Sequence, residues 1–490
     1  MLFRSLADAN LQALTTTQVS GLTTTQLGAL LTTDLQLLAT SQISALSTTQ
    51  IKGLSATQIG NLTTTQVTVL TAAQVGALSA TQVKGIETTD LPELSTTQLS
   101  QLTTTQLTAF STAQIQALTA TQFAGFSTTL VASLTGTQMG ALSTGNLQAL
   151  TSAQIAGLSL TQVKGLTATQ VTDLTATQVA ALAATQMAVL SATQIKGLED
   201  ADIIALTASQ LAGLTATQIA ALETTDLQAF ATSQISALTA TQLGGLTVTQ
   251  VGDLLDTQVG ALAASQIALL SATQLKGFET TDLQTLTTTQ LSQLSAAQVG
   301  AFTTSQVAAF TPAQLSGLST TQVSGLTSTQ LGSVETADLQ SMTTTQIASL
   351  SATQVKGLTA TQIGDLTAAQ VAVLTSTQIA VLSATQIKGF ETADLVTLTG
   401  TQLAGLTTTQ VSGLQTTSLQ ALADTQVAAL STTQVKSLTA TLVSALTEAQ
   451  AQALTATQLG ALSTTQLKGL ETTDLTALSD RKSTRLNSSH

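Results

Sequence analysis

Paired carboxylates are the groups in this sequence best suited to chemistry. A glutamate precedes an aspartate by three residues at seven places, and Asp34 belongs to a weaker variant without the glutamate. Such pairs could supply ligands to Ca²⁺, which takes about six to eight oxygens, or could act as the acid and base of a glycosidase. Each pair offers too few oxygens for Ca²⁺, and the pairs recur in a plain repeat with no distinctive pocket sequence around them. We therefore expect ordinary acids near helix N-termini, with no metal ligand and no catalytic residue. The pairs are Glu87/Asp90, Glu199/Asp202, Glu223/Asp226, Glu279/Asp282, Glu335/Asp338, Glu391/Asp394 and Glu471/Asp474.

The other reactive residue types do not form a known catalytic system. Serine is abundant, but the sequence has no cysteine, and its one histidine is His490, at the far C-terminus. A serine nucleophile within the repeats therefore has no histidine base. The glycines follow the repeat and do not form a phosphate-binding or dinucleotide-binding motif. We therefore expect neither an enzyme nor a bound cofactor.

Charge and hydropathy argue against two classes of partner. The formal net charge is −12 and no basic stripe offsets it, which argues against a nucleic-acid partner. Thr, Ser and Gln interrupt every apolar stretch, so no run approaches the ~18 apolar residues of a membrane span. Without cysteine there is no disulfide framework and no thiolate metal site, although this leaves the cellular compartment open.

An eight-residue repeat organises the chain. Residues 22–29 are a clean copy, and we number its positions from Leu22 as position 1. Sixty positions at eight-residue intervals from Leu6 to Leu478 are each Leu, Ile, Val, Met or Phe. Position 2 is mostly Thr or Ser, position 5 mostly Gln, position 6 mostly Val, Ile or Leu, and position 8 mostly Ala or Gly. Several acidic octads recur at intervals of seven octads or of 24 octads, which indicates amplification of blocks.

The octad predicts a short helix that begins after position 2. Thr or Ser followed by Gln three residues later is the capping box, in which each side chain bonds the backbone amide of the other residue. Positions 1 and 6 are then the two sites of a hydrophobic staple, and both are apolar. Pro312 falls at the first helical residue, where its missing amide does no harm, and Glu448 falls in a first turn. Small residues at position 8 are expected to allow close helix approach, and Gly there to help end the helix.

We therefore predict an all-α solenoid of very short capped helices, one per octad, with positions 1 and 6 lining a continuous core. Helices of about six residues are marginal alone, so the octads must stabilise one another by stacking. Two features favour the alternative of a β-solenoid with threonine ladders: threonine runs form strands well, and Pro92 lies at position 7, where a helix would lose a hydrogen bond. In that alternative, the threonines would resemble the ice-binding faces of some antifreeze solenoids.

Two further residue classes have predicted places. Phe at position 1 is expected to be a larger core residue and not a binding aromatic. Lys at position 7 is expected to be an exposed, solubilising residue. The phenylalanines are Phe110, Phe126, Phe230, Phe278, Phe302, Phe310 and Phe390, and the lysines are Lys52, Lys84, Lys164, Lys196, Lys276, Lys356, Lys388, Lys436 and Lys468.

The sequence divides into three parts. Residues 1–5 are a lead-in with no signal peptide, residues 6–479 are the uninterrupted repeat array, and residues 480–490 leave the register. The last segment, Asp480 to His490, resembles the translation of a common sequencing adapter. We therefore interpret the chain as a fragment of a longer repetitive protein with a non-native tail.

The octad of residues 6–479 resembles the repeat regions of long, low-complexity bacterial surface or secreted proteins. The resemblance implies an extracellular or cell-surface location and a structural function, such as the spacer or stalk of an adhesin-like protein. The alternative is a binding module that uses the repeated Thr/Ser surface, with ice or a polysaccharide as its partner. A surface glycan is thus a possible extracellular partner, whereas the sequence indicates no particular oligomeric state.

Overall fold

The computed structural model describes residues 8–390 and 392–470. The predicted lead-in, Glu391, the Glu471/Asp474 pair and the adapter-like tail lie outside these ranges. Fifty-seven α-helices of four to six residues occur within them, and each begins at position 3 of its octad. The predicted all-α solenoid is therefore confirmed. The alternative of a β-solenoid is wrong, since the described residues contain no strand.

The chain divides into two units, Met1–Leu246 and Thr247–His490. The helices of the first unit are α1 (Asp8–Gln12), α2 (Thr16–Ser20), α3 (Thr24–Gly28), α4 (Thr32–Gln36), α5 (Thr40–Ser44), α6 (Thr48–Lys52), α7 (Ala56–Gly60), α8 (Thr64–Thr68), α9 (Ala72–Ala77), α10 (Ala80–Val83), α11 (Thr96–Leu99), α12 (Thr104–Ala109), α13 (Thr112–Ala117), α14 (Ala120–Ala124), α15 (Thr128–Ser133), α16 (Gly136–Gly140), α17 (Thr144–Gln148), α18 (Ser152–Ala156), α19 (Leu160–Gly165), α20 (Ala168–Thr172), α21 (Ala176–Ala181), α22 (Ala184–Met187), α23 (Ala192–Ile195), α24 (Asp200–Ala205), α25 (Ala208–Gly213), α26 (Ala216–Ala221), α27 (Thr224–Ala229), α28 (Thr232–Ser236) and α29 (Ala240–Gly245).

The helices of the second unit are α30 (Val248–Gly252), α31 (Asp256–Ala261), α32 (Ala264–Leu269), α33 (Ala272–Leu275), α34 (Thr280–Thr285), α35 (Thr288–Ser292), α36 (Ala296–Ala301), α37 (Thr304–Ala308), α38 (Pro312–Gly317), α39 (Thr320–Gly325), α40 (Ser328–Gly332), α41 (Thr336–Gln340), α42 (Thr344–Ser349), α43 (Ala352–Gly357), α44 (Ala360–Gly364), α45 (Ala368–Ala372), α46 (Ser376–Ala380), α47 (Ala384–Ile387), α48 (Thr392–Thr397), α49 (Gly400–Ala404), α50 (Thr408–Ser412), α51 (Thr416–Ala421), α52 (Asp424–Ala428), α53 (Thr432–Ser437), α54 (Ala440–Ser444), α55 (Glu448–Ala453), α56 (Ala456–Ala461) and α57 (Thr464–Leu467).

The predicted capping box forms in most octads. At α3, the backbone N–H of Gln26 donates to Thr23 Oγ1 at 3.3 Å, and the N–H of Thr23 donates to Gln26 Oε1 at 2.8 Å. Thr23 is extended, with φ −74° and ψ 157°, so the chain turns a corner immediately before each helix. These bonds satisfy amides that a helix N-terminus otherwise leaves unpaired. They explain how threonine-rich octads become helical despite poor intrinsic propensity.

The two proline octads behave as their positions predict. Pro312 is the first residue of α38, and Thr311 caps that helix. Pro92 lies at position 7, and its octad has no α-helix; a 3₁₀ turn, Leu91–Glu93, takes its place. Proline lacks the amide that a continuing α-helix would use at position 7, so the backbone tightens instead.

Positions 1 and 6 form the core. Position 1 is buried in every octad from Leu30 to Leu470, and position 6 in every octad from Leu11 to Ala451. The phenylalanines predicted as core residues are all buried. Two of them pack edge-to-face, since the rings of Phe302 and Phe310 lie 5.5 Å apart. Burial of these side chains offsets the cost of ordering helices that would not persist alone.

Three octads make one coil of the solenoid. Within each unit, the helix of an octad packs against those of the third octad before it and the third octad after it, as α3 does on α6 and α36 on α39. The acidic octads that recur at every seventh octad therefore advance by two coils and one further octad. They fall on successive sides of the solenoid within a unit and do not line one side.

Within each unit, buried glutamines tie most octads to the coil before them. Gln50 is 4% exposed, and its Oε1 accepts the capping bond from Ser47. Its Nε2 donates to the carbonyls of Val19 at 2.9 Å and Leu22 at 2.7 Å, 31 and 28 residues earlier. One side chain thus pairs an amide at its own helix N-terminus with carbonyls in the last turn of an earlier helix and just beyond it. The same arrangement recurs at most position-5 glutamines, for example at Gln354.

Removing the capping hydroxyl tests the hydrogen bond between positions 2 and 5 of the same octad. We expect Thr359→Ala, Thr367→Ala and Thr375→Ala to destabilise the second unit by about 1 kcal/mol each, since the hydroxyl bond to the helix amide is lost. Urea unfolding followed by far-UV circular dichroism measures the change. Thr361→Ala and Thr377→Ala remove exposed threonines at position 4 and serve as controls. Equal effects of the two sets would contradict the capping argument.

Candidate functional site

Four acidic pairs lie where the sequence predicts, at α-helix N-termini: Glu199/Asp202, Glu223/Asp226, Glu279/Asp282 and Glu335/Asp338. Glu87/Asp90 instead precedes the 3₁₀ turn of the Pro92 octad. In α27 the N–H of Glu223 donates to Asp226 Oδ2 at 2.8 Å, and in α34 the N–H of Glu279 donates to Asp282 Oδ2 at 2.9 Å. The aspartate thus occupies the place of the capping-box glutamine. Asp226 and Asp282 are 5% and 2% exposed. The burial is a consequence of position 5, which faces the preceding coil.

A second carboxylate meets the buried aspartate from the previous coil at two places. Position 3 of an octad faces position 5 of the third octad after it. In the second unit this brings Asp256 within hydrogen-bonding range of Asp282, and in the first it brings Asp200 near Asp226. In a third octad the facing residue is a threonine, and Thr64 Oγ1 donates to Asp90 Oδ1 at 2.7 Å.

These surroundings raise the pKa values of the buried aspartates. Burial, followed by the hydrogen bond and charge of Asp256 and the charge of Glu279, raises the pKa of Asp282 to about 7, against the lowering effect of the Glu279 amide. Burial and the charges of Asp200 and Glu223 raise the pKa of Asp226 in the same direction.

Two other acidic octads lack the facing carboxylate. Burial raises the pKa of Asp202, although the amide of Glu199 lowers it. Burial and the charge of Glu335 raise the pKa of Asp338. The pairs three residues apart are visible in the sequence. The pairing of Asp256 with Asp282 is not, because their octads lie one coil apart. That pairing becomes visible only when the number of octads per coil is known.

The acidic groups do not assemble a metal centre in the described parts of the chain. No group of three or more His, Asp or Glu side chains there is arranged to hold a metal ion. The buried side-chain nitrogen and oxygen atoms of these residues all have hydrogen-bond partners. His490 and the Glu471/Asp474 pair fall outside the described ranges. The arrangement can bind protons and cap helices.

Equivalent shallow grooves lie at two places on the described surface. One, of about 390 Å³, lies beside Gly60 and Gly85 and is bordered by Thr57, Thr81 and Lys84. The other, of about 310 Å³, lies at the same octad positions beside Gly364 and Gly389. Both form because a glycine at position 7 faces a glycine at position 8 of the next coil, which removes two side chains from the surface.

Close helix approach explains these glycines. A Cβ atom built on Gly85 would lie 2.2 Å from the carbonyl oxygen of Ala56, and one on Gly60 would lie 2.3 Å from that of Gly85. The expected role of small residues at position 8 is thus confirmed. None of the described glycines has a positive φ, so they do not end helices through a left-handed cap.

The remaining surface is polar and periodic. The nine lysines at position 7 are all exposed, as predicted, and position 4 presents an exposed threonine in most octads. No helix in the described ranges is long and apolar enough to cross a membrane. The described part of the structure therefore contains many copies of one surface.

Comparison with known proteins identifies a repeat family model. Five stretches match the model of the ALTTAQ repeat, at residues 27–64, 83–120, 219–255, 275–312 and 332–368. No curated protein matches the chain. The six letters of the repeat name correspond to positions 8 and 1 to 5 of the octad, which hold the staple residue, the capping hydroxyl and the bridging glutamine. The chain is thus a repeat protein by both sequence comparison and structure.

Proposed function

We propose that the chain is a structural spacer in a bacterial cell-surface or secreted protein of the adhesin-like kind, where it holds another part of the molecule at a set distance. The observation that carries this proposal is the repeated glutamine bridge, which joins successive coils in the same way at most octads of each unit. A repeat solenoid grows by nearly identical increments, so its length follows its number of coils. The extracellular or cell-surface location is part of the proposal and rests on the resemblance of the octads.

The packing suits a spacer mechanically. Within each unit, successive coils are joined by buried hydrogen bonds as well as by apolar side chains, so bending must disturb both. Glycine pairs such as Gly332 and Gly357 let the helices approach at backbone distance. Exposed lysines and threonines keep the outside polar. These features stabilise a stack without committing any part of its surface to one ligand.

A coil-deletion experiment tests the spacer. The native sequence has no cysteine, so Thr321→Cys and Thr441→Cys would place two labels on exposed position-4 sites five coils apart in the second unit. Deleting residues 390–413 removes one coil. We expect the distance between the labels to shorten by about 8–10 Å, the usual spacing of packed helices. Double electron–electron resonance between spin labels on the two cysteines would measure this distance. An unchanged or very broad distance distribution would contradict the proposal.

A binding module is the competing function, and it would use the exposed threonines at position 4. Ice binding of this kind requires flat threonine ladders on strands, and the described residues form helices instead. The competing proposal to be tested is therefore a module that binds a polysaccharide. Glycan-array binding by the full chain, lost when several position-4 threonines of adjacent coils become alanine, would favour the module over the spacer.

A further inference from the structure

The buried aspartate at position 5 replaces a hydrogen-bond donor with an acid. In most octads the glutamine amide at this place donates to carbonyls of the previous coil, as Gln306 does to Leu275 at 3.0 Å and Phe278 at 2.8 Å. A shorter side chain also reaches there, since Asn146 Nδ2 donates to the Leu118 carbonyl at 2.8 Å. An ionised aspartate has no hydrogen to donate, whereas a protonated one does.

At Asp282 a second acid occupies the same contact. The helix α34 packs on α31, which begins with Asp256, and on α37. Asp256 is the only charged residue of α31, α37 has none, and the remaining facing charge is Glu279 at the N-cap of α34. Every charged group that interacts with Asp282 is thus an acid. Two ionised carboxylates in contact repel one another, whereas one proton between them makes a hydrogen bond.

We propose that Asp256 and Asp282 form a proton-binding carboxyl pair that strengthens the packing of α34 on α31 when it holds one proton and weakens it when both acids are ionised. The pair makes this contact an acid-responsive joint in an array otherwise joined by glutamine. Asp200 and Asp226, with Glu223 at the N-cap of α27, form the corresponding joint in the first unit.

The direction of the pH dependence follows from linkage. The pKa of Asp282 is raised in the folded state, from 3.8 to about 7. A raised pKa means that the native state holds a proton that the unfolded state releases. The stabilisation is complete below about pH 4 and is lost as the pH rises through about 7. The joint is therefore tighter in mildly acidic solution than at pH 8, opposite to the acid lability of paired carboxylates with lowered pKa values.

Hydrogen exchange of the full chain at pH 5 and pH 8 tests the joint. After correction for intrinsic rates, we expect the amides of Thr280–Thr285 to lose about tenfold to a hundredfold of their protection between these pH values. Helix α39, which packs on α36 and α42 with no charged residue in any of the three, is the internal reference. Its corrected protection should change much less.

Two variants separate the pair from general effects of pH. Asp282→Gln restores the residue found in most octads, so protection should stay high at both pH values. Asp256→Thr copies the Thr64–Asp90 contact, in which a hydroxyl donates to the carboxylate, and should keep α34 protected at pH 8. A flat profile in the native protein would overturn the proposal. So would an equal loss of protection in the native protein and in either variant.

Discussion

Replacing Gln354 by glutamate is expected to destabilise the second unit by about 3–5 kcal/mol at pH 8, the usual cost of an uncompensated buried charge. Gln354 is 4% exposed, and its Nε2 donates to the carbonyls of Val323 and Leu326, both at 2.8 Å. Glutamate keeps the bond from the Ser351 amide but turns its second oxygen toward two carbonyl oxygens. Burial and this repulsion would raise the pKa of the new carboxyl.

The same variant should recover stability in acid. A protonated glutamic acid has nearly the shape of glutamine and can donate one hydrogen bond. Because its pKa would be raised in the folded state, the loss should be present at pH 8 and largely absent at pH 4. Urea unfolding of native and variant proteins at the two pH values measures the difference. A loss that persists unchanged at pH 4 would show that the bridge does not depend on the amide donor.

A leucine variant separates lost bonds from buried charge. Leu130 and Leu442 already occupy position 5 and are buried, so the site accepts an apolar side chain of this size. We expect Gln354→Leu to cost about 1–3 kcal/mol, the penalty for unpaired buried polar groups, at both pH values. The glutamate variant should therefore be the less stable of the two at pH 8 and the more stable at pH 4.

The bridging glutamine shows how far the sequence could predict the fold. The capping bond is local, because positions 2 and 5 lie in one octad, and it was predicted from residue types alone. The amide bonds of Gln50 reach back to Leu22 and Val19, and such partners depend on how many octads form a coil. An eight-residue period is compatible with two, three or four octads per coil, so that number had to come from the structure.

The spacing of the glycines could have shown how many octads form one coil. A glycine at position 7 is followed, three octads and one position further on, by one at position 8 at Gly60 and Gly85, and again at Gly140 and Gly165. A separation of one coil plus one position is what adjacent helices require. The same separation recurs at residues 28/53, 252/277, 300/325, 332/357 and 364/389. This separation between glycines is informative only when the contact between neighbouring coils is known, and the consensus sequence of the octad does not show it.

The acidic octads show the same limit at the candidate site. Their place at helix N-termini was predicted, because acids there interact favourably with the helix dipole. Their burial was not predicted, although position 5 is the side of the helix that the glutamine turns inward. Neither the pairing of Asp256 with Asp282 nor that of Thr64 with Asp90 could be predicted, since both cross one coil.

Replacing Gly165 by alanine is expected to destabilise the first unit by up to about 3 kcal/mol, the usual upper cost of overpacking. A Cβ atom there would lie 2.4 Å from the carbonyl oxygen and 2.6 Å from the Cα of Gly136 in the neighbouring coil. These are backbone atoms of α16, so a side-chain rotation cannot relieve the clash. Helices α16 and α19 would have to separate. Hydrogen exchange of Gly136–Gly140 and Leu160–Gly165 measures this as an increased rate of local opening.

Gly145 provides the matched control, since it is helical and a Cβ atom there would meet nothing within 4 Å. Gly145→Ala should stabilise α17 by up to about 1 kcal/mol, because alanine has the higher helix propensity. Opposite signs for the two glycine-to-alanine changes would show that coil spacing, and not backbone flexibility, requires Gly165. If both variants are equally stable, the coils are not packed at backbone distance, and the argument that glycine pairs mark adjacent helices fails. The spacing of the glycine pairs would then no longer indicate, from the sequence alone, that three octads form one coil.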